Sequence, residues 1–167
     1  MRHSIVGLAA VFFLMFGSSA LAVDTDGKFG VGGNASLSES GVSGLGLNYW
    51  VGHLKVGVIT GFEMQSPAEG DSTTKLDLAF HGLYAVSRSK DANLNTGVRI
   101  NLIDLVGPKG TDTTFGLEVP IEAEFWVTNH VTITAHAGLS IYMPEDNTVI
   151  SLGAPGFNGG AGFNFYF

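Results

Sequence analysis

Eight segments of this chain alternate residue by residue between an apolar and a polar face, and none of the apolar faces carries an Asp, Glu, Lys or Arg. A period of two is that of a β-strand, whose successive side chains leave opposite faces of the sheet. The first segment, Lys28 to Leu37, sets Phe29, Val31, Gly33, Ala35 and Leu37 against Lys28, Gly30, Gly32, Asn34 and Ser36. The second alternates Leu45, Leu47, Tyr49 and Val51 with Gly44, Gly46, Asn48 and Trp50, and the third runs from Leu54 to Met64. Further segments span Lys75 to Val86, Leu94 to Leu102, Phe115 to Trp126 and Val131 to Met143, and the last is Phe157 to Phe167. Short turns are expected at Gly52-His53, Ser87 to Asn93 and Val127 to His130. Longer loops are expected at Ser38 to Gly41, Gln65 to Thr74, Asp104 to Thr113 and Pro144 to Leu152.

Alternation alone leaves the orientation open, because a soluble lipocalin-type barrel also alternates, with its apolar face inward. Charge breaks the tie. An apolar face without a single ionised group is what hydrocarbon demands and a ligand cavity does not. A water-facing polar side should be dense in Lys and Glu, yet here it is largely Gly, Asn, Ser and Thr. Charged residues make up 14% of the chain, against about 25% in an ordinary soluble domain. The expected fold is all-β, an eight-stranded antiparallel up-and-down transmembrane barrel, since roughly ten-residue strands in even number suit a small membrane barrel.

The N-terminus reads as an export signal. Arg2 precedes an apolar or small run from Ile5 to Phe16, and Ala20-Leu21-Ala22 is an A-x-A cleavage site. Residues 1–22 are therefore expected to be a cleaved signal peptide and residues 23–167 the barrel. The alternative, an anchoring helix, has too short an apolar run. The chain has no Cys, which removes disulfides and thiolate chemistry. Its net charge of −7 argues against nucleic acid as a partner.

The chain closes on Phe157 to Phe167, FNGGAGFNFYF. Asn158, Gly160, Phe163 and Phe165 leading to a terminal Phe167 resemble the C-terminal assembly signal of bacterial outer-membrane barrels. With the alternation, the mature chain resembles the small eight-stranded outer-membrane barrels of the OmpX and OmpA-transmembrane type. The resemblance implies a Gram-negative outer-membrane location with both termini in the periplasm and four loops outside. It implies lipids and lipopolysaccharide as surroundings, the barrel assembly machinery as a partner for the last strand, and no cofactor. A departure from the OmpA type is that no peptidoglycan-binding domain is expected after the barrel, so tethering to the cell wall is not expected.

The polar faces supply a candidate lumen network of Asp77, His81, Arg99, Glu118, Glu122, Glu124 and His136. Glycines of the first three and last segments, Gly30, Gly32, Gly44, Gly46, Gly57, Gly61, Gly160 and Gly162, leave room that these bulkier groups fill from the opposite wall. Symmetric connections about Ser87 to Asn93 and Asp104 to Thr113 put Arg99 beside His81 and close to Glu118, and Glu122 beside His136. A lone buried Arg would be costly, so pairing is expected. In the resembled family an Arg, Lys and carboxylate network both holds and blocks the barrel, a role this implies for Arg99, Glu118 and Glu122.

Three functions compete: a monomeric barrel of structural or surface-interaction type, a narrow low-conductance pore, and a lipid A-modifying enzyme. The enzyme is disfavoured because His136 and Ser140 on one face stand roughly 13 Å apart along a strand at about 3.3 Å per residue. A metal site from His81, His136 and Asp77 would have to be drawn from separate strands. Trp50, Tyr84 and Trp126 end segments on the short-turn side, as an interfacial belt would. Strict alternation points both tryptophans inward, so either a bulge turns them out or they cap the lumen.

Overall fold

The two faces of the alternation become the two sides of one closed sheet. A computed structural model describes residues 23–37, 41–66, 72–106, 112–143, 148–152 and 159–167, and among them every regular element is a strand. The strands are β1 (Phe29–Ser36), β2 (Gly44–Val51), β3 (Leu54–Gln65), β4 (Thr73–Arg88), β5 (Ala92–Val106), β6 (Thr114–Trp126), β7 (Val131–Met143), β8 (Val149–Leu152) and β9 (Gly159–Tyr166). Each of β1 to β7 pairs antiparallel with the next, and β9 closes the ring between β7 and β1. The short β8 lies along the same edge of β7 as β9, so nine strands fill eight positions of a barrel.

The registers fix the stagger of the ring. From Leu45 a row of partners runs through Thr60, Leu78, Leu102 and Phe115 to Met143 of β7; the other way it runs through Gly33 and Phe163 to Ile133. The two ends lie ten residues apart on β7. With strands about 4.8 Å apart and about 3.3 Å per residue, that stagger tilts the strands roughly 40° from the barrel axis. An eight-stranded barrel so tilted has an interior just wide enough for its own side chains.

Two departures from the sequence reading have local causes. The β4–β5 ladder continues past the expected ends to Leu76↔Val106, through an irregularity between Leu76 and Leu78. There Asp104 takes a φ of 55°, which breaks the phase of the alternation and hides the continuation. The Asp77 carboxylate accepts the Asp104 backbone N–H at 2.8 Å and Lys75 pairs with Asp104 at 3.3 Å, fixing the bulge. Val149–Leu152, expected within a loop, is a strand because β7 offers it an edge; four residues are too few to show a period. Phe157 and Asn158 lie outside the described residues.

The turn rim carries Val23 and Phe167, and the loop rim lies opposite. Among the described strands β1, β2 and β9 have eight residues each, against twelve to sixteen in β3 to β7.

Candidate functional site

The barrel interior is polar through its middle and apolar at both ends. Among the described residues sixteen polar or charged side chains are buried against eight apolar ones, while thirty large apolar side chains are exposed. That inverts the arrangement of a water-soluble domain.

In the middle, Lys55 of β3 reaches across to β6, where its ammonium donates to Glu122 and stands 3.6 Å from Glu124. Asn95 also donates to Glu122, at 3.0 Å. The Arg99 guanidinium donates to Glu118 at 3.2 Å and to His136 Nε2 at 2.9 Å. A guanidinium can only donate, so this imidazole nitrogen presents a lone pair. His81 Nε2 bonds Asn48 Oδ1 at 2.9 Å, and Asn48 in turn donates to Asn164 at 2.7 Å. Glu124 accepts from the Tyr166 hydroxyl at 2.9 Å and from Thr132 at 3.2 Å.

Six of the seven expected network residues thus face the interior and take part in these contacts: His81, Arg99, Glu118, Glu122, Glu124 and His136. The neighbours His81↔Arg99, Arg99↔Glu118 and Glu122↔His136 are in register as the turns implied. The bonded partners differ, because side chains cross the interior diagonally: Glu122 is held by Lys55 and Asn95, and His136 by Arg99. Asp77 stands apart near the loop rim on the Asp104 backbone. Lys55 was missed, although it shares the inward face of its strand with Gly57 and Ile59; assigning glycine alone to that wall hid it.

The glycine wall does make room. A Cβ on Gly57 would sit 2.6 Å from both Asn48 Oδ1 and His81 Nε2, one on Gly160 2.6 Å from the His136 ring, and one on Gly30 2.6 Å from the Tyr166 ring. At Gly46 the nearest atoms are 3.8 Å away. Beside it lies a cavity of about 20 Å³ lined by Asn48, Ile59, His81, Arg99 and Glu122, the space of a single water.

At the turn rim Trp50 and Trp126 point inward and pack with Ala85, Tyr166 and Val23, so they cap the interior. Alternation holds here, and no bulge turns them out. The outward aromatics of this rim are instead Phe29, Tyr49, Tyr84, Phe125, Phe165 and Phe167. A strap before β1 crosses beneath the cap. Arg88 donates to the Val23 carbonyl at 2.7 Å and to Thr25 Oγ1 at 2.6 Å, and Asp26 accepts the Gly52 N–H at 2.6 Å. The Lys28 ammonium lies 5.0 Å over the Trp126 ring. At the loop rim Val42 turns inward onto Ile59, Ala79 and Ile103, held by Asn34 donating to its carbonyl at 2.8 Å.

Of the C-terminal signal residues, Phe163, Phe165 and Phe167 point outward, while Gly160 lies under His136. His130 stacks on Phe165 and donates through Nδ1 to the Tyr166 carbonyl at 2.9 Å, tying the β6–β7 turn to the last strand. Among the described residues no three His, Asp or Glu side chains converge on one metal-sized point. His136 Nε2 is occupied by Arg99, and Ser140 lies opposite Glu118 in the ladder. No protein-family model, curated protein or solved structure matches the chain.

Proposed function

We propose that the chain is an integral outer-membrane β-barrel of Gram-negative type with a structural or surface-interaction role and no catalysis. Residues 1–22 serve as its export signal, both termini lie in the periplasm, and the last strand is read by the barrel assembly machinery. The observation that carries this reading is the inversion: a charged and polar interior inside a wall whose exposed side chains are apolar, edged at the turn rim by aromatics. In water, so large an apolar surface would drive aggregation. In a bilayer it faces acyl chains and lipopolysaccharide, and the aromatics sit at the headgroup level.

The pore reading is weaker. The described interior is capped by Val42 at one end and by the two tryptophans at the other, and the cavity beside Gly46 has room for about one water. Planar-bilayer recordings of wild type and Arg99→Ala are both expected at baseline; unitary openings in either would favour the conduit. Among the described residues no catalytic group is placed for a lipid A-modifying activity, and unchanged acylation of lipid A in cells lacking the protein is the expected result. Placement itself is tested by envelope fractionation followed by a gel with and without boiling. A heat-shifted band in the outer-membrane fraction is expected, and a monodisperse protein soluble without detergent would sink the proposal.

A further inference from the structure

Two exposed histidines of the turn rim lie flat against outward aromatic rings of neighbouring strands. His130, in the β6–β7 turn, stacks on Phe165 with ring centroids 5.9 Å apart and planes within 17° of parallel. His53, in the β2–β3 turn, lies on Tyr84 in the same way, at 5.7 Å and 21°. At His130 the row continues: Phe165 meets Phe167 edge-on at 5.1 Å, and Phe167 stacks on Phe29 at 6.4 Å. His130 Nδ1 donates to the Tyr166 carbonyl at 2.9 Å, and a carbonyl can only accept. The neutral ring therefore keeps a lone pair at Nε2, for which no described residue supplies a donor. A plain interfacial belt needs only rings and hydroxyls. An imidazole with one nitrogen committed to the backbone adds an acceptor of fixed position.

The charge of this rim narrows what such an acceptor can take. Among the described residues its exposed charged side chains are Asp24, Asp26 and Asp91 against Lys90. Its other two cations are already held, Arg88 on the Val23 carbonyl and Lys28 on the Asn129 carbonyl, the latter over the inward Trp126 ring. Resting on the outer-membrane reading above, we infer that the His130–Phe165 pair seats the headgroup of one phospholipid ending in a primary ammonium, a phosphoethanolamine lipid of the periplasmic leaflet. The ammonium has hydrogens to donate to Nε2 and a charge that neighbouring ring faces attract. Its acyl chains lie along Ile133 and Phe163, the paired outward side chains next toward mid-height, 53% and 59% exposed. A choline headgroup keeps the charge but has no N–H to give. A glycerol headgroup can donate, but it brings an uncompensated phosphate to an acidic rim. His53 on Tyr84 repeats the ring pair beside Asp26, which accepts the Gly52 N–H at 2.6 Å, without the hydrogen bond that sets the lone pair of His130; it is the weaker of the two.

The test uses the refolded protein carrying Ile133→Trp, or Phe163→Trp should the first fail to fold, in dilauroylphosphatidylcholine vesicles. A tenth of the lipid carries brominated acyl chains under an ethanolamine, a choline or a glycerol headgroup. The native tryptophans face the interior and supply a constant background. The seat predicts quenching by the ethanolamine lipid about two- to tenfold above that by the choline lipid, the ratio to which one net hydrogen bond corresponds. His130→Phe keeps a ring on Phe165 and removes the acceptor, and is expected to bring the two lipids level. Equal quenching by both in the reporter protein overturns the seat and leaves the membrane reading intact. A preference for the glycerol lipid, or one for ethanolamine that survives His130→Phe, overturns the seat as well. Absence of quenching by all three overturns the membrane reading and the seat with it.

Discussion

Lys55 stands against two carboxylates of β6, Glu122 and Glu124, and is almost wholly buried. Removing one partner of such a group leaves uncompensated charge in a medium that solvates it poorly, a loss of about 3–5 kcal/mol. Lys55→Met is expected to lower unfolding stability by that amount, and adding Glu122→Leu to recover part of it, read from urea unfolding in vesicles. Failure of the double variant to recover anything would mean that Lys55 matters through its stem and not its charge. Two glycines of the same wall make a sharper pair. Gly57→Ala places a methyl 2.6 Å from the Leu47 carbonyl, from Asn48 and from His81, and should cost about 1–3 kcal/mol. Gly46→Ala meets nothing closer than 3.8 Å and should stay within about 0.5 kcal/mol of wild type. Equal losses at the two positions would contradict a tightly filled interior at Gly57.

Among the elements, the strap from Val23 to Lys28 is bonded to β2 only at its end, where Gly27 N–H donates to the Trp50 carbonyl and Trp50 N–H to the Lys28 carbonyl, each at 3.0 Å; its first residues depend on a side chain from the end of β4. Arg88 holds it at two points, the Val23 carbonyl and Thr25 Oγ1. Arg88→Ala therefore should let the strap open locally and expose Trp50 and Trp126 while the barrel stays closed. Iodide quenching of tryptophan fluorescence is expected to rise about twofold with an unchanged heat-shifted band; unchanged quenching would mean that the aromatic cap seals the rim without the strap. The closing strand is tied differently. β9 shares seven register pairs with β1 and seven with β7, and Phe167 just past it and Phe165 within it stack with Phe29 and His130, so the seam between first and last strand is built as fully as the β1–β2 and β2–β3 hairpins.

For the whole molecule, the proposed bilayer placement makes charge tolerance depend on height. The registers put Ile121 near mid-height and Phe125 near the turn rim, both facing outward on β6. Ile121→Arg should cost about 2–4 kcal/mol and Phe125→Arg about 0–1 kcal/mol in vesicles. In a protein whose outer wall met water, the two would not differ in that order, so equal or reversed losses count against the membrane.

The residues alone determined a good part of this protein. A strict period of two placed the strands, and the symmetry of two connections paired Arg99 with His81 and Glu118; parity left two readings for Trp50 and Trp126, of which the inward cap is the one found. These are local or near-neighbour properties, carried by the pleat and by turn length. The structure alone decided what depends on closing the ring. Lys55 meets Glu122 and His136 meets Arg99 across the interior, and β8 finds an edge on β7. A ten-residue stagger accumulated over eight positions sets which inward side chains share a level. No single segment carries that sum, so no single segment could reveal it.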